Sequence, residues 1–408
     1  MNLNCFLTGS GTRAALRSHP PFRHGVHVYG VCRTPFTRRP YSSAPLRLHG
    51  IAPRAPRAFF WTLAALATAA LGYASYDAYY DWRNLYPKEV RIPLKRGIAA
   101  QASGDRAKSA YHKRMAWETA VRLPPEAFSA DPYLKITGIA VDLAGELEED
   151  GKTQEAYGLY SEALDLLRSA SGQARLSGPE RLRGVSLAVK LGQLAGECGV
   201  SAEEEEGLHV WAVEEVLKLL MDIQAKSPAG DAAAQPIDFL NLKLPPWLTK
   251  TDISVPLQEL GDFYTRVGKS EYAMPLYLQG ISLLVVSDGG KQVPPEDMCQ
   301  GAHLMNNVAE LIIRGHPTAE RQKYAEGWAQ KALSVLQTAR RNTKQPISVC
   351  EQALSVALFN AGVLREMAGD EERARAFFVS AMEQSQSSGL EEGVVVAKEA
   401  LARLNAKQ

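Results

Sequence analysis

The sequence predicts an all-α chain of stacked helix pairs, on three observations. One block recurs three times, as LAGELEEDGKTQEAYGLYSEAL, LGDFYTRVGKSEYAMPLYLQGI and NAGVLREMAGDEERARAFFVSAM. In each copy a glycine (Gly151, Gly268, Gly369) follows seven residues after a small residue (Ala144, Gly261, Gly362). In each copy an alanine (Ala156, Ala273, Ala374), an aromatic (Tyr160, Tyr277, Phe378) and another small residue (Ala163, Gly280, Ala381) complete the register. This is the spacing of a tetratricopeptide repeat, a helix–turn–helix unit that buries its apolar face only by stacking on its neighbours. The small positions let two antiparallel helices approach closely, and the glycine ends the first of them. The aromatic is expected to fill the gap toward the next pair.

The elements follow in chain order. Residues 1–57 hold nine Arg and no Lys, Asp or Glu, and the first acid is Asp77. Arg13, Arg17, Arg23, Arg33, Arg38 and Arg39, interleaved with Ser, Thr and apolar residues, read as a mitochondrial transit peptide over 1–41. Arg39-Pro40-Tyr41-Ser42 fits cleavage between Tyr41 and Ser42 by the matrix processing peptidase, leaving 42–58 as a linker. Phe59 to Tyr76 carries no charge. At 1.5 Å per residue it covers roughly 27 Å, enough for one transmembrane helix over 59–76. Phe59, Phe60 and Trp61 at one end and Tyr73, Tyr76, Tyr79, Tyr80 and Trp82 at the other form an aromatic belt. Arg54 and Arg57 on the N-terminal side place that terminus in the more negative compartment. In a mitochondrial inner membrane that is the matrix, which leaves the rest in the intermembrane space.

From about residue 90 to 388 the register continues as six repeats keyed on 97, 144, 192, 261, 309 and 362. In the third, the acidic run Glu203–Glu206 is expected to be a solvated loop that delays the second helix. A Pro-rich stretch over 226–254 interrupts the pattern, since Pro228, Pro236, Pro245 and Pro246 forbid a continuous helix. Its Pro245-Pro246-Trp247 is either a partner-docking aromatic or a tuck that holds the loop on the stack. Val394, Ala397, Leu401 and Leu404 make an amphipathic capping helix within 389–408.

Composition excludes several functions. The chain is 46% hydrophobic and 22% charged, which suits a packed core. Without the nine leader arginines, 37 basic residues face 45 acidic ones, a formal −8. That balance is a poor match for nucleic acid, whose phosphates need clustered Lys and Arg. Cys5, Cys32, Cys198, Cys299 and Cys350 are far apart, with no C-x-x-C. Neither a disulfide framework nor a zinc site follows, and the cysteines read as isolated thiols. Gly268-Lys269-Ser270 mimics the end of a phosphate loop, but Phe263 stands where its first glycine belongs. His112, His209, His303 and His316 lack ligand spacing and a nucleophile, and read as solvent-facing or structural. No catalytic residue, metal or cofactor is expected.

A repeat stack instead offers the face lined by its first helices. Two residues before the keyed small position stand Asn307 and Asn360, with Asn306 beside the first, and Asp142 and Glu259 in two other repeats. Amides carry donors and an acceptor, so such a row is expected to grip the backbone of an extended peptide without reading its sequence.

The linked order of motifs resembles the fungal inner-membrane tetratricopeptide adaptors of the mitochondrial i-AAA protease. It comprises the Arg-rich leader, the span ending in YDAYYDW, and LKRGIAAQASGDRAKSAYHKRMAWETA. EEEEGLHVWAVEEVLKLL, LPPWLTKTD leading into LQELGDFYTRVG, and HLMNNVAELI continue it, covering most of 75–385. The resemblance implies a non-catalytic adaptor tethered beside the protease, with a second adaptor subunit as a further partner. It would present unfolded or membrane protein clients for degradation. Two other readings share the architecture: an assembly scaffold for respiratory-chain complexes, and an outer-membrane import receptor.

Overall fold

The computed structural model describes residues 85–173, 176–225, 244–285, 292–314 and 318–406. Among these are thirteen α-helices, one short 3-10 turn and no strand. They pair in chain order. Helix α1 (Lys88–Ala102) pairs with α2 (Arg106–Arg122), and the 3-10 turn (Pro125–Phe128) follows. Then come α3 (Pro132–Glu149) with α4 (Thr153–Gln173), α5 (Gly178–Ala195) with α6 (Ala202–Ala225), and α7 (Lys250–Arg266) with α8 (Ser270–Val285). Next are α9 (Pro295–Ile313) with α10 (Ala319–Arg341), α11 (Ser348–Met367) with α12 (Glu371–Ser387), and α13 (Glu391–Asn405). Two compact units contain them, one reaching Ile139 and one running on from Ala140.

All six keyed positions lie in the first helix of a pair. Gly104, Gly151, Gly199, Gly268 and Gly369, each seven residues later, have φ between +67° and +82°. That left-handed conformation ends a helix at little cost only for glycine. The close approach is equally local. A Cβ on Gly261 would stand 2.6 Å from the Tyr277 ring, and one on Gly362 2.7 Å from Phe378. The aromatic packs on the small residue of its own repeat and also toward the next element, Tyr277 sharing a core with Leu304 and Met305 of α9, and Phe378 with Ala400 and Leu404 of α13. In the third repeat His209 takes this role, its imidazole 2.3 Å from where a Gly192 Cβ would be.

In the larger unit the odd-numbered helices form a row, α5 touching α7, α7 touching α9, α9 touching α11 and α11 touching α13. One core cluster runs from α8 to α11, and in it Tyr277, Leu304, Met305, Val308, Leu336 and Leu354 are buried.

Three expectations need correction. The run Glu203–Glu206 is not a loop: α6 starts at Ala202, with Ser201 Oγ accepting from Glu204 N at 3.2 Å. Carboxylates in a first turn complement the positive end of the helix dipole. The Pro-rich insertion ends at Thr249 rather than Ser254, since Thr249 and Asp252 form a capping box that opens α7. Finally, Cys299 and Cys350 are joined by a disulfide, with Cα atoms 5.0 Å apart. They are 51 residues apart in sequence, but α9 and α11 are neighbours in the row, which brings them face to face. Cys198 is a free, half-buried thiol, pushed up in pKa by burial and by Glu148.

Among the described residues no helix is long and apolar enough to cross a membrane. The expected span at 59–76 and the cleavage site at Tyr41 and Ser42 lie outside them.

Candidate functional site

The row of first helices is where a binding face was expected, and its polar side chains mostly bind one another. At the position two before the keyed residue, α5 carries Lys190, whose Nζ donates to Glu148 Oε2 of α3 at 2.6 Å. In α7 the same position is Glu259, 8% exposed, accepting from Gln193 Nε2 of α5 at 2.8 Å. In α9 it is Asn307, half-buried, donating to Asp262 Oδ1 of α7 at 3.1 Å. Each residue therefore reaches back to the preceding first helix. The five residues expected to grip a peptide do not share one open surface. Glu259 and Asn307 bond within the row, and Asn306 is 2% exposed, with both amide atoms buried. Asp142 of α3 is exposed and Asn360 of α11 half-buried. The sign was present in the sequence as a donor or acceptor at one offset matched in the preceding repeat, but no local spacing marks it.

Asp262 is the hub of the α7–α9 junction. Its Oδ1 also accepts from the Tyr277 hydroxyl at 2.6 Å, and that hydroxyl lies 3.0 Å from Thr265 Oγ1. Arg314, the C-cap residue of α9, donates to the Thr265 carbonyl at 2.7 Å and to Glu310 Oε1 at 2.8 Å. Burial and the Asp262 charge hold the Tyr277 hydroxyl far above its ordinary pKa. Glu310, its side chain 13% exposed, is raised to about 7 by burial, with Arg314 opposing and Asp262 adding to the shift. His303, buried nearby, is lowered by burial, which Asp262 partly offsets.

A second buried cluster joins α6 to α7. Glu205 is paired with Arg266 and has His209 Nε2 at 3.8 Å. Burial works against its charge, yet these partners hold its carboxyl below the ordinary range. Both clusters tie helices together. Among the described residues no group of three or more His, Cys, Asp or Glu is placed to hold a metal ion.

The Pro245-Pro246-Trp247 segment has its aromatic engaged within the chain. A Cβ on Gly178 would lie 2.3 Å from the Trp247 ring, so the indole sits on the first turn of α5. Leu248 beside it is buried, Pro245 is half-buried and Pro246 is exposed. Ser177 and Glu180 cap the same turn with a reciprocal box.

None of the protein-family models matches the chain, and neither does any curated protein. Among solved structures, the chain is similar to BtubC from P. vanneervenii, with 17% identity and a TM-score of 0.47 over 70% of this chain and 92% of that one. It is also similar to the nuclear import adaptor Nro1 of S. pombe, with 11% identity and a TM-score of 0.40 over 78% and 98%. A tetratricopeptide repeat protein from Parabacteroides merdae matches with 14% identity and a TM-score of 0.32 over 78% and 99%. At TM-scores below 0.5 these likenesses carry no assignment. The repeat architecture rests instead on the helix pairs, turn glycines and small–aromatic contacts of this chain, which make it an all-α protein of tetratricopeptide-like helix pairs.

Proposed function

We propose that the chain is a protein-binding scaffold acting as a non-catalytic adaptor of the i-AAA protease in the mitochondrial inner membrane. Its clients are unfolded or membrane proteins, and ATP hydrolysis and peptide cleavage belong to the partner. The observation that supports a binding role best is the laterally bonded row of first helices. Side-chain bonds between α3 and α5, α5 and α7, and α7 and α9 fix the spacing of the row before any partner arrives. A pre-ordered face loses less conformational entropy on binding. The protease and the compartment rest on the sequence alone: the Arg-rich leader, the apolar 59–76 segment, and the order of motifs that resembles the adaptor family. Of the expected peptide row, Asp142 is exposed, and Asn307 and Asn360 are half-buried.

A mild-detergent pull-down from mitochondria carrying a C-terminally tagged chain tests this. Recovery of the i-AAA protease, with the tag digested only after outer-membrane rupture, is the expected result. Recovery of respiratory subunits at fixed stoichiometry without the protease would replace the adaptor by an assembly scaffold. Digestion of the tag in intact mitochondria would overturn both localisation and function.

A further inference from the structure

The first helix pair differs in charge from everything that follows it. Between Leu85 and Arg122 nine Lys and Arg stand against three acids, whereas from Leu123 to Gln408 there are 27 bases and 40 acids. The two helices touch along their length and bury Val90, Leu94 and Ala100 on one and Ala116, Trp117 and Ala120 on the other. Lys113 serves that core with its stem, which lies over Gly97, while its Nζ donates to Gln101 Oε1 at 3.0 Å. Of the other bases, Arg91 is half-buried and the rest are exposed.

Helical spacing sorts those outward residues into stripes. On α1, Lys88, Ile92 and Lys95 fall on one face, all exposed. On α2, Lys108, Tyr111, Met115 and Arg122 fall on one face, also all exposed, with Glu118 the acid among them. Large apolar groups stand open within these stripes: Ile92 is 45% exposed, Tyr111 62% and Met115 43%. Apolar and aromatic side chains flanked by Lys and Arg are the composition of a helix surface that lies in a lipid interface. The apolar parts enter the headgroup boundary and the long basic side chains reach the phosphates. The position of the pair agrees. Eleven residues separate Tyr76 from Lys88. Fully extended they cover at most about 40 Å, so α1 begins within reach of the surface of any bilayer that holds 59–76.

We propose that the α1–α2 pair docks on an anionic phospholipid surface. Its basic stripes meet the lipid phosphates, and Ile92, Tyr111 and Met115 enter the headgroup layer. The acidic helix pairs that follow are repelled by the same surface and remain in water for partners. This inference rests on the single-span tether but not on the protease.

The test uses the full chain reconstituted into vesicles of phosphatidylcholine, alone or mixed with phosphatidylglycerol, and reads backbone amide exchange by mass spectrometry. Exchange over 88–122 is expected to slow only in the anionic vesicles and to recover in 1 M salt, where the Debye length shrinks to about 3 Å. The triple variant Lys95→Glu, Lys108→Glu, Arg122→Glu changes exposed side chains only, and circular dichroism verifies its fold. It should weaken the surface equilibrium on the order of a hundredfold, and the matching variant with Lys95→Arg and Lys108→Arg should keep it. Equal exchange in the two lipid mixtures overturns the inference. Protection that grows with protein density in phosphatidylcholine alone overturns it in favour of a second copy's acidic helices. Alkaline carbonate extraction separates the two readings. A chain retained by carbonate but without lipid-dependent protection removes only the surface inference. A chain released by carbonate removes the tether, and the lipid comparison is then read by flotation of added protein.

Discussion

Helix α9 meets its two neighbours in the row through opposite chemistry. Toward α7 the junction is polar. Asn307 bonds Asp262, Gln300 bonds Gln258 at 2.5 Å, and Thr251 donates to Asp297 at 3.1 Å. Toward α11 the junction is covalent and apolar, with the Cys299–Cys350 disulfide set beside Ala302, Met305, Ala353, Leu354 and Ala357. One side rests on several bonds, each contributing about 1 kcal/mol, two of them to carboxylates. The other rests on one bond responsive to redox state. Stacked helix pairs need their first helices side by side, and either chemistry satisfies that need.

The largest effect should come from breaking the covalent side. Cys350→Ser is expected to cost about 4 kcal/mol by the chain-entropy estimate for a loop of this size. Urea unfolding with and without a reductant measures it, and a reductant that shifts the wild type but not the variant attributes the loss to the disulfide. Equal curves for both proteins under oxidising conditions would mean that the bond adds nothing to the junction.

The polar side should answer to pH instead. Glu310 has a folded pKa raised to about 7 from an ordinary value of 4.5, so the folded state binds the extra proton between those values. Its stabilising contribution is full below about pH 4.5 and is lost as pH rises through about 7. The shift corresponds to about 3 kcal/mol. Buried His303 pulls the other way, since its lowered pKa loses stability as pH falls through the ordinary histidine range. The Glu310→Gln variant should remove the downward slope between about pH 4.5 and 7 and leave the disulfide dependence untouched. A slope identical to wild type would assign the pH response elsewhere.

Smaller effects sharpen the contrast. Tyr277→Phe keeps the ring over Gly261 but removes the hydroxyl from Asp262 and Thr265, at an expected cost of 1–3 kcal/mol. Phe378 occupies the equivalent place naturally, so the ring alone is compatible with the fold. A thermal melt that fails to shift would show that Asp262 is satisfied without this bond. Asn307→Ala should cost about 1 kcal/mol, because its amide bridges to α7. A variant that lost client capture while keeping wild-type stability would instead restore the peptide-gripping role expected from the row.

Much of the fold was legible because its determinants are local. Gly151, Gly268 and Gly369 mark turns because a left-handed backbone suits glycine, and Gly261 and Gly362 mark close approach because a ring lies where a Cβ would be. His209 over Gly192 and the stem of Lys113 over Gly97 were hidden, since residues of another type fill the aromatic's place. The candidate site was less legible. Asn306, Asn307 and Glu259 were recognised as polar residues on first helices, but polarity does not say whether a side chain meets solvent or the neighbouring helix.

The sequence by itself determined the helix pairs, their turns and the small positions of close approach, since these depend on residues fewer than twenty positions apart. Only the tertiary structure decided that Cys299 meets Cys350 and that Asn307 meets Asp262. Those encounters depend on the lateral offset between first helices some fifty residues apart, set by the packing of the whole row rather than by any local spacing.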